Sequence, residues 1–129
     1  MSTDRLDRRP RRQRESPDPV VRYLGDQQAA VMELFWHRES GTVREIATEL
    51  NKTRTLAYTT VLTLVSRLWA RGLLTRERDG RGFRYRNATS RDEFLGKLSD
   101  ELIDRLFDDF GAVAVARLGD RLSSLRTSR

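Results

Sequence analysis

The chain has 129 residues, of which 37% are hydrophobic and 34% charged, and it carries a net charge of +6 at pH 7. No apolar run is long enough to cross a bilayer and no secretory signal opens the chain, so we expect a soluble, cytoplasmic protein without membrane insertion. The sequence contains no cysteine and one histidine, His37, which excludes disulfides and thiolate metal sites and leaves too few imidazoles for a zinc site. We therefore predict no metal and no cofactor.

Positive charge is concentrated in one part of the chain. Residues 52–86 contain nine lysines or arginines against two acidic residues, whereas residues 25–51 contain two against five. An ordinary solvated surface mixes the two signs, so the cationic window indicates a surface that binds a polyanion, above all a nucleic acid.

The N-terminal residues 1–22 differ in composition from the rest. They contain all three prolines and seven arginines, and almost nothing apolar precedes Val20. Such a segment cannot bury enough surface to offset the entropy of ordering it, so we predict a disordered basic arm. An arm that adds phosphate contacts on DNA and a passive tail are equally good interpretations.

Hydrophobic spacing predicts three helices in the next part of the chain. The first covers residues 26–37. The second opens with a capping box, in which Thr42 and Glu45 satisfy each other's backbone amides, and we expect Asn51 to close it in the left-handed conformation. The third covers residues 56–71, where apolar side chains recur with helical periodicity.

Two short strands follow the third helix, at residues 73–78 and 83–86. The glycines of the link between them, residues 79–82, suit a tight hairpin. The order of helix, helix, turn, helix and basic hairpin is that of a winged helix-turn-helix, and we assign residues 23–89 to this domain. The predicted fold class is mostly α with a small β-wing.

The third helix and the hairpin contain the candidate DNA-contacting side chains. An α-helix fits the major groove, where threonine hydroxyls and methyl groups can contact base edges, and arginines beside it can contact phosphates. Taken singly, exposed threonines are as consistent with an ordinary solvated surface, and arginines on an exposed strand more often belong to one. Only their joint occurrence in this order favours DNA. The candidate residues are Lys52, Arg54, Tyr58, Thr59, Thr60, Thr63, Arg67, Arg71, Arg81, Arg84 and Arg86.

Residues 90–129 form a C-terminal helical region. Apolar side chains line a helix up to Phe110, Gly111 interrupts it, and a second amphipathic helix follows. This apolar surface is too large for one thin layer on a small domain, so we predict that two copies bury it; a monomer that folds the helix back on its own domain is the alternative. The candidate dimerisation residues are Leu95, Leu98, Leu102, Leu106, Phe107, Phe110, Val113 and Leu118.

Several short stretches match one family of regulators. They are Leu24-Gly25-Asp26, Val31-Met32-Glu33-Leu34-Phe35-Trp36, Thr42-Val43-Arg44-Glu45, Ala57-Tyr58-Thr59-Thr60-Val61-Leu62-Thr63-Leu64, Arg67-Leu68, Gly72-Leu73 and Phe83-Arg84-Tyr85. On these residues the chain resembles the penicillinase repressors, which are grouped with the methicillin-resistance and copper-transport repressors. The resemblance is good over residues 24–86 and looser from there to Ser124.

The resemblance implies a homodimeric repressor of a palindromic operator, with Thr59, Thr60 and Thr63 on the face that reads the bases. In staphylococcal members a membrane receptor senses β-lactams and repression ends with cleavage in the C-terminal helices. Control of a β-lactam-response operon and a receptor-linked protease as partner are therefore implied. Residues 111–125 contain no Asn-Phe pair like that of the staphylococcal proteins, so no cleavage site is assigned. The absence of cysteine argues against the copper-sensing branch.

Three classes of function remain to be compared. The leading hypothesis is a dimeric transcriptional repressor that binds double-stranded DNA, and a regulator of an unrelated operon is the alternative within that class. A winged-helix module that docks on proteins is a different class, but the cationic window and polar third helix count against it. An enzyme is the weakest hypothesis, because no nucleophile, base and orienting group occur together.

Overall fold

The computed structural model describes residues 18–127 as six α-helices and three β-strands. In chain order the elements are α1 (Pro19–Leu24), α2 (Asp26–His37), β1 (Gly41–Thr42), α3 (Val43–Leu50), α4 (Tyr58–Ala70), β2 (Leu74–Asp79), β3 (Gly82–Asn87), α5 (Arg91–Phe110) and α6 (Ala112–Thr127). The chain divides into two compact units, Met1–Arg91 and Asp92–Arg129. This architecture confirms the predicted class, mostly helical with a small β-wing.

The first helix corrects the predicted end of the N-terminal arm. We expected disorder through residue 22, but α1 begins at Pro19 and the Asp18 carboxylate accepts a hydrogen bond from the Val20 amide at 2.8 Å. Proline at the first helical position is preorganised for a helix, and Val20 and Leu24, one turn apart, are both buried. Burial of these two side chains stabilises a segment that composition alone marks as disordered. The rest of the predicted arm, residues 1–17, lies outside the described residues.

The core of the first unit fixes the helix-turn-helix. Phe35 from α2, Ile46 from α3, and Val61, Val65 and Leu68 from α4 are completely buried. The α4 residues lie at positions i, i+4 and i+7, so one face of the helix packs inward and the opposite face is left to solvent. The sequence thereby determines which face of α4 is available to a partner.

Side chains close both ends of α3. The predicted capping box is present: Glu45 N donates to Thr42 Oγ1 at 3.1 Å, and Thr42 N donates to Glu45 Oε1 at 3.0 Å. The predicted left-handed closure at Asn51 is wrong, because its backbone is right-handed with φ −74°. Instead the Asn51 side chain donates to the carbonyl oxygens of Ala47 and Leu56 and accepts from the Leu56 amide. These bonds hold the turn that leads to α4.

The hairpin belongs to a sheet of three antiparallel strands in the order β1-β3-β2. Strand β1 was not predicted; it pairs Gly41 with Tyr85 and Thr42 with Arg84. A Cβ atom at Gly41 would come within 2.9 Å of Ile46 Cδ1, so the close approach of this strand to α3 requires glycine. Because Thr42 also caps α3, β1 joins the wing directly to the first helix of the helix-turn-helix.

The second unit consists of α5 and α6, which meet at Gly111 with φ +54°. The break at this glycine is where the apolar pattern predicted it. Many apolar side chains of these helices are exposed, among them Leu102, Leu106 and Phe110. In the part of the chain that the structure describes, no helix is long and apolar enough to span a membrane.

Candidate nucleic-acid interface

The exposed face of α4 carries short polar side chains. Thr59, Thr63 and Arg67 are exposed and follow one another at four-residue spacing, so they lie along one side of the helix. The Thr63 hydroxyl donates to the Thr59 carbonyl oxygen at 3.0 Å, which leaves its lone pairs and its methyl group available outward. Thr60, which we also placed on this face, is half-buried. The geometry therefore favours Thr59 and Thr63 over Thr60 as base-contacting residues.

A cleft of about 420 Å³ separates the beginning of α4 from the wing. Tyr58 and Leu62, which are 49% and 40% exposed, line it on the α4 side, and Phe83 lines it on the wing side. A second cleft lies between α3 and the turn before α4, and Tyr58 borders this one as well. Tyr58 thus stands between two grooves beside the outward face of α4.

Arg44 lines both clefts, and the sequence analysis did not select it. It is exposed in the first turn of α3, and among residues 18–127 the structure gives its guanidinium no ion-pair partner. In a helix-turn-helix the first helix crosses the DNA backbone, so a cation here is well placed for a phosphate. Its position inside the Thr42–Glu45 capping box was the available signal, because that box marks the beginning of this helix.

The wing tip presents a further cation. Arg81 is exposed between Gly80 and Gly82, and Gly80 has φ +63°, a conformation that favours glycine. No ion pair to Arg81 is found within the described part of the chain. Among the described residues the hairpin therefore presents this guanidinium at its tip without an ion-pair partner, and its contact with a DNA backbone or a minor groove stays a prediction.

A stack of cationic and aromatic side chains braces the wing against α4. The Arg76 guanidinium carbon lies 3.6 Å from the ring centroid of Trp69 and 4.0 Å from that of Phe83. The Arg78 guanidinium carbon lies over the same Phe83 ring, 5.7 Å from its centroid. Contacts of this kind stabilise by roughly 0.5–1 kcal/mol at exposed sites. Trp69, near the end of α4, thereby joins the helix to both strands of the wing.

Arg84 has a different environment from the one expected. Its Nη1 and Nη2 atoms contact the two carboxylate oxygens of Glu45 at 3.1 and 3.3 Å, and its Nε contacts Asp79 at 3.2 Å. Nη1 also donates to the Ser40 hydroxyl at 3.1 Å. Arg38 approaches the same Glu45 carboxylate at 3.5 Å. The guanidinium is therefore held by protein groups from three separate segments of the first unit.

The pKa values of this cluster shift as its contacts require. The hydrogen bond from the Thr42 amide, followed by that from Arg84, holds the pKa of Glu45 below its ordinary value of 4.5. Hydrogen bonds to Glu45 and then to Asp79 raise the pKa of Arg84. Both groups are consequently charged at neutral pH.

The other predicted cations have weaker attachments at the surface. Lys52 pairs with Glu49, Arg54 with Asp26, and Arg86 with Glu39 and Glu77, while Arg71 donates to Gln28. Exposed ion pairs such as those of Lys52, Arg54 and Arg86 are worth about 0–1 kcal/mol, so a phosphate can replace their carboxylate partners, whereas the partner of Arg71 is an uncharged amide. These four residues border the turn before α4, the end of α4 and the wing.

A helix-turn-helix whose second helix has a polar outer face, followed by a cationic antiparallel wing, defines a winged helix-turn-helix protein. A sequence model of the penicillinase repressor family matches residues 24–125. The chain belongs to this family, which consists of transcriptional repressors and not of enzymes.

Individual relatives match over part of the chain. The chain is 43% identical over 76 residues to the transcriptional regulator BlaI of Mycobacterium tuberculosis, a match that covers 58% of this chain and 55% of that protein. It is 27% identical over 85 residues to the penicillinase repressor of Bacillus licheniformis, covering 66% of each. The methicillin resistance regulatory protein MecI of Mammaliicoccus sciuri is 25% identical over 77 residues, covering 60% of this chain and 63% of that one. The chain thus matches little more than half the length of the M. tuberculosis relative.

Two solved structures are similar to part of the chain. The DNA-binding domain of the repressor BlaI has a TM-score of 0.47 and 29% identity and covers 53% of this chain and 84% of that one. The monomeric form of B. licheniformis BlaI, in complex with the blaP half-operator, has a TM-score of 0.46 and 31% identity. It covers 53% of this chain and 83% of that one.

Proposed function

We propose that this protein is a transcriptional repressor that binds a palindromic operator as a homodimer. The observation that carries the proposal is the outward face of α4, where Thr59 and Thr63 are exposed and Arg67 follows them on the same side. Short polar side chains let a helix approach base edges closely, and the cation one turn further suits a backbone phosphate. Membership of a family of repressors supports the same function.

The cations around α4 define the proposed track of the DNA backbone. Arg44 lines both clefts beside the helix, and Arg81 is exposed at the tip of the wing, next to Gly82 of the first cleft. Lys52, Arg54, Arg71 and Arg86 add weakly paired cations along the border. We assign to these residues contacts with phosphates, which fix the register of the protein without reading sequence.

The homodimer is the second part of the proposal. Phe110 and Val113, on either side of the Gly111 break, are 60% and 62% exposed, and other apolar residues of α5 and α6 are exposed with them. Exposed apolar side chains in this number favour an interaction site, and a second copy with twofold symmetry would match a palindromic operator. Of the predicted dimerisation residues, Leu102, Leu106, Phe107, Phe110, Val113 and Leu118 are exposed, and Leu95 and Leu98 are half-buried.

Selection of bound sequences from a random duplex library, at physiological salt and with purified protein, tests the operator. We expect enrichment of a palindrome whose half-sites lie about one helical turn apart. The matched variant Thr59→Ala/Thr63→Ala is expected to keep its affinity for bulk DNA and to lose the enrichment. A wild-type selection that yields no motif would contradict the proposal and favour the docking-module alternative.

We further propose that the regulated genes form a β-lactam-response operon, because the similar proteins include a penicillinase repressor and a methicillin resistance regulatory protein. Deletion of the gene in its native host is expected to raise transcripts of a β-lactam-resistance gene without any drug. Unchanged transcripts of such genes would assign the protein to an unrelated operon. The same proposal includes release by a receptor-linked protease, so exposure to a β-lactam is expected to shorten the chain on an immunoblot.

A further inference from the structure

The environment of Arg84 gives this residue a role that differs from phosphate binding. Its guanidinium joins β3 to Glu45 in the capping box of α3, to Asp79 at the end of β2, and to Ser40 before β1. With its side chain 29% exposed, Arg84 already makes four contacts within the protein. A phosphate would have to displace two carboxylates from it.

Both oxygens of the Glu45 carboxylate are likewise bound by groups of the protein. One oxygen accepts the Thr42 amide and Arg84 Nη1, the other accepts Arg84 Nη2, and Arg38 lies 3.5 Å from the first. Thr42 is also the strand partner of Arg84 across β1 and β3. Backbone pairing and the bidentate ion pair therefore fix the wing to the same point, the beginning of α3.

We propose that Arg84 and Glu45 form a positioning pair, which sets the wing relative to the helix-turn-helix and acts on DNA binding through this geometry alone. The proposal rests on the DNA-binding function proposed above. Bidentate arginine-carboxylate pairs are directional, whereas lysine offers a single point charge. A pair of this geometry orients the wing, so that Arg81 at its tip meets the backbone while α4 lies in the groove.

Arg84→Lys separates positioning from phosphate binding. The variant keeps the charge but cannot make the two-point contact with Glu45 together with the contact to Asp79. We expect operator affinity to fall roughly tenfold, the change that corresponds to one charged hydrogen bond, with the slope of affinity against salt unchanged. Wild-type affinity in Arg84→Lys, combined with a slope lowered by about one in Arg84→Ala, would assign Arg84 to a phosphate and overturn the proposal.

Glu45→Gln provides a second test, because the positioning role and the phosphate-binding role of Arg84 predict opposite changes in operator affinity. Glutamine preserves the capping box, so α3 keeps its beginning, but the ion pair to Arg84 is lost. Positioning predicts weaker operator binding. If Arg84 instead contacted phosphate, removal of a negative charge beside it would tighten binding. Glu39→Gln is the matched control, since Glu39 pairs with Arg86 at 3.4 Å and lies outside the Arg84 cluster; we expect its affinity to be equal to wild type or slightly higher.

Hydrogen exchange of the DNA-free protein separates failure of this inference from failure of the proposed function. We expect the amides of residues 82–87 to exchange faster in Glu45→Gln than in Glu39→Gln, whether or not the wild type selects a DNA motif. Equal exchange in the two variants would refute the positioning pair. Far-ultraviolet circular dichroism of each variant checks that the fold is retained.

Discussion

At the scale of single residues, Thr63 distinguishes a base-reading helix from a merely polar one. Its hydroxyl satisfies the Thr59 carbonyl oxygen, so alanine removes an outward methyl and hydroxyl without leaving a buried group unpaired. We expect Thr63→Ala to cost about 1–3 kcal/mol of operator binding and to relax the preference at one base pair. Competition gel shifts with single-base operator variants measure both effects. Ser99→Ala in α5 removes a similar bond, to the Leu95 carbonyl oxygen, and is expected to bind as wild type. Unchanged preference in Thr63→Ala would exclude this contact.

Arg44 is expected to contribute to binding without contributing to sequence preference. It is exposed, borders both clefts and has no ion-pair partner among residues 18–127. Arg44→Ala should weaken binding to operator and random duplexes alike and lower the salt slope by about one. Arg44→Lys retains the charge and should restore the slope. Fluorescence anisotropy titrations over a range of salt concentrations measure both. If the salt slope of Arg44→Ala stayed at the wild-type value, Arg44 would not contact a phosphate of the DNA backbone.

The lowered pKa of Glu45 makes a prediction about stability and pH. A carboxyl whose folded-state pKa lies below 4.5 stabilises the fold at pH values above 4.5, and this contribution is lost as the pH falls through the folded-state pKa. The difference in unfolding free energy between wild type and Glu45→Gln should therefore be largest near neutral pH and shrink below pH 4.5. Denaturant melts of both proteins at pH 7 and pH 3 test this. A difference that is the same at both pH values would show that the pair contributes nothing through its charge.

At the scale of elements, two glycines of the second unit should respond to alanine with opposite signs. Gly96 lies within α5, and nothing is within 4 Å of a Cβ atom placed there, so Gly96→Ala should stabilise by about 0.5–1 kcal/mol. Gly111 has φ +54° between α5 and α6, and Gly111→Ala should destabilise by about 1–2 kcal/mol. Urea unfolding at one fixed protein concentration compares them. Stabilisation by both substitutions would mean that α5 and α6 form one continuous helix.

The elements also show what a sequence can and cannot predict. Helices α2 to α6 and the hairpin follow from hydrophobic period, caps and glycines, all of which are local signals. Strand β1 has two residues and no period of its own, since it exists only through its pairing with β3. Helix α1 carried a local signal, an Asp18 cap followed by Pro19, but three prolines and seven arginines in residues 1–22 outweighed it in our interpretation.

Part of the candidate site could likewise be predicted from local sequence, and part depends on the fold. Periodicity within α4 is enough to place Thr59, Thr63 and Arg67 on its outer side. The partners of Arg84 could not be predicted, because Glu45 is 39 residues away and only the fold brings the two together. A cation in a strand looks the same in sequence whether it faces a phosphate or a carboxylate, which is why the two roles need an experiment to separate them.

At the scale of the whole molecule, the apolar surface of the second unit predicts a dimer. Leu102 and Leu106 lie one turn apart on α5 and are both exposed, as are Ile103 and Phe107 beside them. Removing apolar surface from water is favourable by roughly 25 cal/mol for each Å². A second copy of the chain would cover these side chains and gain this free energy. The 15.0 kDa chain is therefore expected to have twice that mass in solution.

Leu102→Asp/Leu106→Asp tests this dimer, because two carboxylates within the apolar surface would have to be buried unpaired on association. Light scattering should give the mass of one chain for this variant and of two chains for the wild type at the same concentration. Lys97→Asp changes the net charge by the same two units at an exposed position on the opposite side of α5 and should remain dimeric. The monomeric variant should still bind a single half-site as the wild type does but lose the tighter binding to a full palindrome, because linked half-sites raise the effective concentration of the second domain. An unchanged mass would leave α5 outside the dimer interface, and equal loss on half-site and palindrome would point to unfolding instead of dissociation.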